Sequence, residues 1–575
     1  MAGRGMSGGG ATGGGATDRD LDTEVLIVGA GPAGLMLACE LGLAGVRATV
    51  IEQHPQPPGF CRGFNLNARS LDLLDRRGIA DRFLAAGPTV PAIMFAGLNR
   101  PLDLSTMDSS HPYVLGIAQT RVEELLEERA GELGVPVLRG RRLTGLHQDA
   151  GGVTAVVDGP GAGRLRAGYL AGCDGGRSTV RKLAGIAFPG TAASRYSLLG
   201  DVVLADPAAL PFGPTTTEHG SVFVIPRPGY VRIITGEPEP PADRDSPVTL
   251  PYLQAAVDRA LGRHVELTGP RWLTRFGDAA RQAERYVAGR VLLAGDAAHI
   301  HPPAGAIGVN VAIDDAMNLG WKLAAAVRGW APATLLDSYH SERHAAGARL
   351  LRDTRAQTLL GRRDEQWEPV RELLADVADV PAAATYLAER VTGVGTRYPM
   401  PTLDGGSTHP WLGRMAPDLH LTASTKATVP KATAVTATAT GNAATTTVAR
   451  LLSPGRPVLL DLADRPRLRA EAADWGSRLT VHTARCAQCP DVSAMLIRPD
   501  GHVAWIAVAG EGTGSTGTGE ATGSAVTGEA PASAGAEETG RAGGDEAGIL
   551  SSLRHALGIW LGTPVGPGPH PHSTG

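Results

Sequence analysis

Residues 24–52 read EVLIVGAGPAGLMLACELGLAGVRATVIE, and this segment decides the fold. Its apolar run Val25–Val28 predicts a buried parallel strand. The apolar pattern from Leu35 to Leu43 predicts a helix, and the β-rich run Ala48–Ile51 predicts a second strand. Strand, helix and strand in this order predict a complete βαβ unit, from which parallel sheets covered by helices are built.

The turn between the first strand and the helix carries three glycines in the spacing G-x-G-x-x-G. Gly29 allows the tight turn, Gly31 lets the backbone approach a phosphate, and Gly34 lets the helix pack closely against the strand. Glu52 follows at about the 20-residue spacing of an acid that accepts hydrogen bonds from ribose hydroxyls. Because a helix N-terminus attracts negative charge, this segment predicts that a dinucleotide binds through its pyrophosphate.

Composition excludes several other classes of protein. The chain has 575 residues, of which 43% are hydrophobic and 19% charged, as is typical of a soluble globular enzyme with several domains. A formal net charge of −4 provides no basic surface for nucleic acid, so we expect no nucleic-acid partner. Five scattered cysteines do not make a disulfide framework, which favours a reducing, cytoplasmic location.

Neither the N-terminus nor the longest apolar segment indicates membrane targeting. Residues 1–21 are rich in Gly, Ser and Thr and lack an apolar core, which predicts a disordered tail and no signal peptide. Residues 25–46 are apolar and long, but they contain the motif glycines, Pro32 and Glu40. These residues fit the βαβ unit better than a bilayer span, so we expect no membrane partner.

Changes in pattern divide the chain into several predicted domains. These are a disordered tail (1–21), the first part of a dinucleotide-binding domain (22–187), a substrate-binding sheet domain (188–276), the second part of the first domain with a helical region (277–400), and a C-terminal domain (401–575). Within the last, residues 422–449 and 510–548 are dominated by small and polar residues. They are therefore predicted to be disordered insertions.

Two further segments place an aspartate after a predicted strand. Asp174 lies in GCDGGRSTVR, residues 172–181, and Asp296 lies in GRVLLAGDAAH, residues 289–299. A carboxylate at the carboxyl end of a strand is well placed to accept a hydrogen bond from a ligand hydroxyl. The sequence therefore predicts three turns that converge on one extended ligand.

Together these motifs resemble those of the class A flavin monooxygenases, which have the para-hydroxybenzoate hydroxylase fold. The segments HPPAGAIGVNVAIDDAMNLGWKLAAAV (301–327) and HPYVLGIAQTRVEELL (111–126) are similar to the aromatic polyketide hydroxylases of that class. The resemblance covers residues 24–417 strongly and the C-terminal domain more loosely. It implies an α/β fold with an FAD-binding Rossmann-like domain of the glutathione reductase type, an inserted β-sheet substrate domain, and a C-terminal thioredoxin-like α/β domain.

The resemblance also implies which residues bind the cofactor. Gly29 to Gly34 and Glu52 would hold the adenosine diphosphate part of FAD, and Asp296 the ribityl hydroxyls. Asp174 would serve both FAD and the nicotinamide cofactor. The complete set of implied cofactor residues is Gly29, Ala30, Gly31, Pro32, Ala33, Gly34, Glu52, Gln53, Arg62, Gln119, Asp174, Asp296, Gly308, Val309 and Asn310.

The implied reaction uses FAD, NADPH or NADH, and O2. In this family the reduced flavin forms a C4a-hydroperoxide, which hydroxylates an electron-rich ring; here that ring would belong to a polycyclic aromatic polyketide in antibiotic biosynthesis. The phenol of the substrate supplies the electrons, so no catalytic side chain is assigned, and no metal is expected. Drug inactivation by hydroxylation would use the same chemistry. The alternatives are Baeyer–Villiger oxygenation of a polyketide ketone and a flavin-binding protein without oxygenase turnover.

One segment departs from the family pattern. Where members usually carry G-G-Q-G-[LM]-N, residues 305–310 read GAIGVN. Ile307 removes a polar side chain that we expect next to the flavin, and Ala306 restricts the backbone freedom of a glycine. The neighbouring contacts are mostly with the backbone, so we expect FAD binding to be retained.

Other polar residues have simpler interpretations. His299 and His301 are interpreted as loop residues that cap the backbone, and Asp314 and Asp315 as acids near a helix N-terminus, favoured by its dipole. Cys486 and Cys489 have C-x-x-C spacing. They follow the second predicted strand of their domain and not the first, where a thioredoxin-type redox pair would lie, so redox activity is not favoured.

Overall fold

The computed structural model describes residues 22–95, 98, 100–237, 239, 241, 243–361, 365–401, 409–423, 445–509 and 538–565. The predicted tail 1–21 lies outside these residues, as do the central parts of both predicted insertions. Within the described residues, no helix is both long enough and apolar enough to cross a membrane.

The first third of the chain alternates strands and helices. In order, its elements are β1 (Thr23–Val28), α1 (Pro32–Leu43), β2 (Ala48–Glu52), β3 (Asn65–Leu66), α2 (Ala68–Asp75), α3 (Ala80–Leu84), β4 (Thr89–Val90), β5 (Ala92–Ile93), β6 (Leu102–Asp103), β7 (Val114–Gly116), α4 (Gln119–Glu132), β8 (Val137–Arg139), β9 (Arg142–Asp149), β10 (Gly152–Asp158), β11 (Gly163–Gly172) and α5 (Thr179–Leu183).

The middle of the chain is first rich in strands and then helical. Its elements are β12 (Gly190–Thr191), β13 (Tyr196–Leu204), β14 (Gly213–Thr217), β15 (Gly220–Arg227), β16 (Tyr230–Gly236), α6 (Leu250–Leu261), β17 (Leu267–Gly277), β18 (Ala280–Gln282), β19 (Val287–Ala288), β20 (Val291–Leu293), β21 (His299–Ile300), α7 (Gly308–Val327), α8 (Leu335–Leu360), α9 (Glu368–Ala378) and α10 (Pro381–Thr392).

The C-terminal part has a smaller set of elements. They are β22 (His420–Ala423), β23 (Thr445–Thr447), α11 (Val448–Leu452), β24 (Val458–Asp461), α12 (Pro466–Ala473), β25 (Thr480–Arg485), β26 (Val492–Ile497), β27 (Val503–Val508) and α13 (Glu538–Leu561).

A parallel sheet in the order β8-β2-β1-β11-β20 forms the centre of the molecule. Its central strand β1 is apolar on both faces because both faces are buried, and Val25, Leu26 and Ile27 are fully buried. Parallel strands end at the same edge of a sheet. The three predicted turns follow the adjacent strands β1, β11 and β20 and therefore lie next to one another, as expected for one ligand.

A five-stranded antiparallel sheet in the order β14-β15-β16-β13-β17 is inserted between β11 and β20. One face packs against α6, where Leu198, Val224 and Ile233 meet Leu253 and Val257. Strands β15 and β16 form an antiparallel hairpin within this sheet. The opposite face remains available for the functional site.

The C-terminal strands form a mixed sheet in the order β23-β22-β25-β24-β26-β27. Strand β24 is parallel to β25, which it reaches through α12, and antiparallel to β26. The predicted insertion 422–449 is too wide, because its ends belong to β22, β23 and α11; residues 424–444 lie outside the described residues. The predicted insertion 510–548 is also too wide, because α13 begins at Glu538.

The turn between β26 and β27, residues 498–502, enters the interior of the FAD-motif half of the chain. Arg498 donates hydrogen bonds to both carboxylate oxygens of Glu342 on α8, at 2.6 and 2.8 Å, and pairs with Asp500. Lys322 on α7 donates to the same Glu342 at 2.7 Å. All four side chains are at least 96% buried, and burial lowers the pKa of Lys322 to about 8.

We predict that Arg498→Met destabilises the protein by about 3–5 kcal/mol, because Glu342 and Asp500 would remain buried with too little positive charge. The matched control is Arg467→Met, which breaks an exposed pair with Glu546 and should cost less than about 1 kcal/mol. Chemical denaturation of both variants measures the difference. Equal losses of unfolding free energy in the two variants would show that Arg498 does not neutralise buried carboxylates.

Candidate functional site

The three glycines of the first turn have different surroundings. Gly29 has φ +108°, and a Cβ atom there would lie 2.4 Å from the carbonyl oxygen of Cys173. A Cβ at Gly34 would lie 2.0 Å from the Gly29 oxygen, whereas one at Gly31 would meet no atom within 4 Å. Two glycines therefore serve packing, while Gly31 borders open space. Helix α1 has no side-chain cap and has Pro32 in its first turn, so its free N–H groups face that space.

The acid after β2 lies against the same turn. One Glu52 carboxylate oxygen accepts a 2.9 Å hydrogen bond from the Ala30 N–H, and the other accepts one from the His54 N–H. Glu52 is thereby held beside Ala30 and the open side of Gly31. Gln53, which follows it, is exposed. The position of Glu52 suits a ribose attached to a phosphate at the start of α1.

Arg62 and Gln119, predicted from separate segments, are brought together. The Gln119 N–H donates to the Gly63 oxygen at 2.8 Å, which fixes the loop of residues 60–64 at the start of α4. The Gln119 side chain donates to Glu123, also at 2.8 Å. Burial raises the pKa of Glu123, against the opposing effects of Gln119 and Arg62. The exposed Arg62 side chain remains free to meet an anion.

Asp174 has a structural partner that the sequence did not reveal. Its carboxylate accepts hydrogen bonds from the Ser178 hydroxyl and from the Thr179 and Val180 N–H groups, at 2.5, 2.6 and 3.1 Å. It thus caps α5, and burial raises its pKa against those hydrogen bonds. In this geometry much of its hydrogen-bonding capacity is used within the protein.

Asp296 differs from Asp174 because its side chain is exposed, and no hydrogen bond or ion pair to it occurs among the described residues. It follows Gly295, which has φ +62° and whose Cβ would lie 3.0 Å from the Cβ of Ala33. The exposed carboxylate therefore stands directly beside the glycine turn. It can accept hydrogen bonds from the hydroxyls of a ligand that begins at Gly31.

Helix α7 begins at Gly308, so Gly308, Val309 and Asn310 form its first turn. No side chain caps this turn, and its N–H groups are available to an anion. The Asn310 side chain is directed into the protein: its oxygen accepts from the Asn67 N–H at 2.7 Å. The backbone of Asn310, and not its side chain, is therefore available to a ligand.

The structure shows how residues 305–307, which depart from the family pattern, are accommodated. Ala306 has φ +50°, a left-handed conformation that favours glycine, and follows Gly305 with φ +74°. Ile307 is 7% exposed and lies in an apolar cluster with Leu102, Met107 and Val391. Its side chain fills the interior behind the turn, which explains why an apolar residue is accommodated here.

The free face of the five-stranded sheet carries two adjacent rows of side chains. Arg232 and Asp201 form a buried ion pair in one row, and the Arg232 guanidinium donates to the carbonyl oxygens of Cys61 and Arg62. Trp272, in the same row, stacks on Phe60 with centroids 4.5 Å apart. The loop of residues 60–64 is therefore anchored to the sheet.

The second row is apolar and half covered. Register pairs Phe223 with Ile234, Ile234 with Leu199, and Leu199 with Thr274, so these side chains cross four strands side by side. Leu199 is buried, whereas Phe223, Ile234 and Thr274 are partly exposed. The row offers a flat, largely apolar wall.

A buried ion network that the sequence pattern did not indicate lies behind the turns. Asp315 accepts hydrogen bonds from the Gly295 N–H (2.9 Å), the His299 ring (2.8 Å) and Arg343 (2.7 Å). Burial raises the pKa of Asp315, but Arg343 and His299 together lower it to about 2. Asp314 pairs with Arg343 and Arg69. The interpretation of both acids by the helix dipole was therefore wrong, as was that of His299 as a backbone cap.

The remaining candidates have ordinary roles. His301 contacts the Pro302 carbonyl oxygen at 2.8 Å through Nδ1, as expected of a residue that caps the backbone. Cys486 and Cys489 follow β25, and burial together with Cys486 raises the pKa of the Cys489 thiol to about 12. This thiol is protonated at neutral pH and is a poor nucleophile.

An extended dinucleotide fits these observations. Open space lies at Gly31 beside an uncapped helix, Glu52 accepts a hydrogen bond from the same turn, and the exposed Asp296 lies beside it. Another uncapped helix start, at Gly308, can hold the far end of the ligand. The fold and the site therefore have the features of a dinucleotide-binding protein of the α/β class.

Comparison with known proteins specifies the family. The family described as "FAD binding domain" matches residues 22–354, and that described as "Aromatic-ring hydroxylase, C-terminal" matches residues 427–529. The chain belongs to the FAD-dependent aromatic-ring monooxygenases, which confirms the resemblance seen in the sequence. It is 41% identical over 507 residues to a 12-dehydrotetracycline 5-monooxygenase/anhydrotetracycline 6-monooxygenase of Streptomyces rimosus, covering 85% of this chain and 96% of the relative.

Two further similarities are informative. The structure of the anhydrotetracycline hydroxylase OxyS from Streptomyces rimosus superimposes with a TM-score of 0.79 at 38% identity, covering 94% of this chain and 99% of that chain. A dialkyldecalin synthase of Streptomyces rugosporus is also 41% identical, over 492 residues, covering 84% of this chain and 96% of the relative. The fold is thus that of FAD-dependent aromatic hydroxylases, and it also occurs in a relative named as a synthase.

We predict that Gly31→Ala leaves the apoprotein folded but weakens FAD binding about tenfold or more, because the added methyl group occupies the space for the pyrophosphate. Gly34→Ala, by contrast, should reduce the yield of folded protein, since its Cβ would overlap the Gly29 oxygen. Titration of apoprotein with FAD, combined with thermal denaturation, distinguishes the two. Unchanged FAD affinity in Gly31→Ala would contradict the placement of the phosphate.

We predict that Ala306→Gly stabilises the protein by up to about 1 kcal/mol, because relief of left-handed strain exceeds the added flexibility of the unfolded chain. The matched control is Ala345→Gly at an exposed position of α8, which should lose about 1 kcal/mol. Denaturation curves measure both effects. A loss of the same size in both variants would show that Ala306 is not strained.

Proposed function

We propose that this protein is an FAD-dependent hydroxylase that uses NADPH or NADH and O2 to hydroxylate a polycyclic aromatic polyketide in antibiotic biosynthesis. The observation that carries the proposal is the apolar row Phe223–Ile234–Leu199–Thr274, which lies beside the row that anchors the 60–64 loop. A flat apolar wall next to a cofactor-contacting loop suits a planar, fused-ring substrate. The names of the tetracycline monooxygenase relatives support the same substrate class.

FAD fits the residues present. We propose that the 29–34 turn and Glu52 hold its adenosine diphosphate part, with Gln53 beside the ribose, Arg62 and Gln119 at the pyrophosphate and ribityl chain, and Asp296 at the ribityl hydroxyls. Bound FAD supplies the transfer of electrons from the nicotinamide cofactor to O2. The uncapped first turn of α7, Gly308 to Asn310, places N–H groups and a positive helix end near the ring edge that becomes negative on reduction.

The protein then has two tasks in the chemistry. Its apolar row holds an electron-rich ring in a fixed orientation and excludes water, so that the oxygen atom reaches carbon and is not lost. One oxygen atom enters the ring as a hydroxyl, and the other leaves as water with electrons from the nicotinamide cofactor. No side chain is assigned as an acid or base, because the phenol of the substrate activates its own ring. Asp174, which caps α5, would act on the nicotinamide cofactor only indirectly.

We also propose that the inserted sheet is the substrate domain, within residues 188–276, between the two parts of the FAD domain, 22–187 and 277–400. The C-terminal domain is proposed to be thioredoxin-like. The order β25-β24-β26-β27, with α12 joining the parallel pair and α13 following the hairpin, supports this classification.

The second candidate is a flavin-binding protein without oxygenase turnover, and the relative named dialkyldecalin synthase favours it. In that case FAD would support the fold while the apolar row orients a substrate for a different reaction. Baeyer–Villiger oxygenation of a polyketide ketone is the remaining alternative on the same scaffold. It differs from hydroxylation in the position of the inserted oxygen.

The test is a screen of tricyclic and tetracyclic phenols for accelerated NADPH or NADH consumption by the FAD-loaded enzyme. We expect acceleration with at least one polyphenol, and a product heavier by one atom of ¹⁸O when ¹⁸O2 is used. Oxygen placed between ring carbons would indicate Baeyer–Villiger chemistry. No acceleration by any phenol, despite bound FAD, would favour the second candidate.

A further inference from the structure

A cavity of about 330 Å³ lies between α7, α8 and α10, and we call it the helical cavity. Its volume is within the range of small-molecule sites. Much of its wall is apolar and includes Phe95, Ile307, Val311, Leu350 and Val391. It lies along the side of α7 that carries Asn310, Val311 and Asp314, whereas Ala312 on another side of α7 faces Gly295. No residue of the 29–34 turn lines the helical cavity, nor does Gly295, whereas Ile307 and Asn310 at the start of α7 do.

Most of the charged groups in the wall of this cavity neutralise one another. Arg343 pairs with Asp314, and both Arg352 and Arg390 pair with Asp353. These guanidinium groups have carboxylate partners within the protein. Because Arg352 and Arg390 share the single carboxylate of Asp353, their two positive charges are only partly neutralised.

Arg349 is different. It lines the helical cavity, is half-buried, and forms no ion pair with a carboxylate among the described residues. Burial lowers its pKa, with Arg390 and Arg343 acting in the same direction and Tyr398 and Asp353 against it. A half-buried guanidinium beside an apolar wall is costly unless an anion accompanies it.

A second arginine in the wall also has unused donors. Arg69 is 96% buried, and although Nη2 donates to Asp314, its Nε and Nη1 atoms have no hydrogen-bond partner in the described part of the chain. Buried donors of this kind are normally satisfied by a partner, by water or by a ligand. These two Arg69 atoms are themselves buried, so the accessible guanidinium in the cavity wall that has no carboxylate partner among the described residues is that of Arg349.

We propose that the helical cavity binds a planar aromatic molecule that bears a carboxylate or an acidic phenol, with its anionic oxygens on Arg349 and its rings on the apolar wall. The guanidinium fork matches a carboxylate with two hydrogen bonds. Charge complementarity selects the anion, and the apolar lining selects the rings. No residue of the inserted sheet lines the helical cavity, and the inference does not depend on turnover.

A ligand bound in the helical cavity would contact residues next to the proposed site of the flavin ring. Ile307 and Asn310 line the helical cavity and flank the start of α7, whose first turn we assign to the flavin edge. A ligand packed on Ile307 also contacts the residue next to the strained Ala306. Binding therefore alters the surroundings of the 304–307 turn.

The experiment is a calorimetric titration of the FAD-loaded protein with 2-naphthoate. We expect Arg349→Met to raise the Kd at least about tenfold, which corresponds to the loss of a charge-assisted contact. Arg355→Met is the matched control: it removes the same charge from an exposed position on the same helix, outside the cavity wall, and should leave the Kd unchanged. Equal affinity of Arg349→Met and the unmodified protein would overturn the proposal.

A second arm uses only the unmodified protein, so it does not depend on the folding of a variant. The neutral isostere 2-naphthamide should bind at least about tenfold more weakly than 2-naphthoate. Equal binding of the two compounds would show that no cation recognises the ligand and would overturn the assignment. If hydroxylation of phenols fails while both arms succeed, the proposed function is wrong and the cavity assignment stands.

Discussion

One carboxylate, that of Asp315, holds the centre of the structure together. It accepts hydrogen bonds from the backbone at Gly295, from His299 and from Arg343, and it is completely buried. A buried carboxylate is tolerated only when its partners surround it, so α7, α8 and the Gly295 turn must assemble together. The exposed Asp296 next to that turn owes its position to this arrangement.

The same set of charges reaches the C-terminal sheet. Asp314 pairs with Arg69, and Nη2 of Arg69 lies 3.4 Å from His502. Arg498, in the same turn as His502, pairs with Glu342. The cofactor corner and the C-terminal sheet therefore share one desolvated electrostatic unit. Removal of one charged side chain from this network leaves unpaired buried charges in both parts. The C-terminal sheet is therefore a structural component of the FAD half.

Local patterns were enough to predict the parallel sheet and the three turns, because each depends on residues close together in the chain. The glycine at position 31 is a clear case: its role follows from its place between a strand and a helix. Asp314 and Asp315 could not be interpreted in this way, since their partners lie far away in sequence. Arg69 on α2, Arg76 and Arg77 directly after that helix, and the charged 498–502 turn between apolar strands were the available signals.

The anchoring of the 60–64 loop has a consequence for protein engineering. This loop belongs in sequence to the cofactor half, yet it rests on the inserted sheet through Arg232 and Trp272. A chimera that exchanges the sheet with that of a relative would also exchange the support of the loop. Recombination at the domain borders therefore succeeds only if the transplanted sheet keeps Asp201, Arg232 and Trp272, or if the loop travels with it.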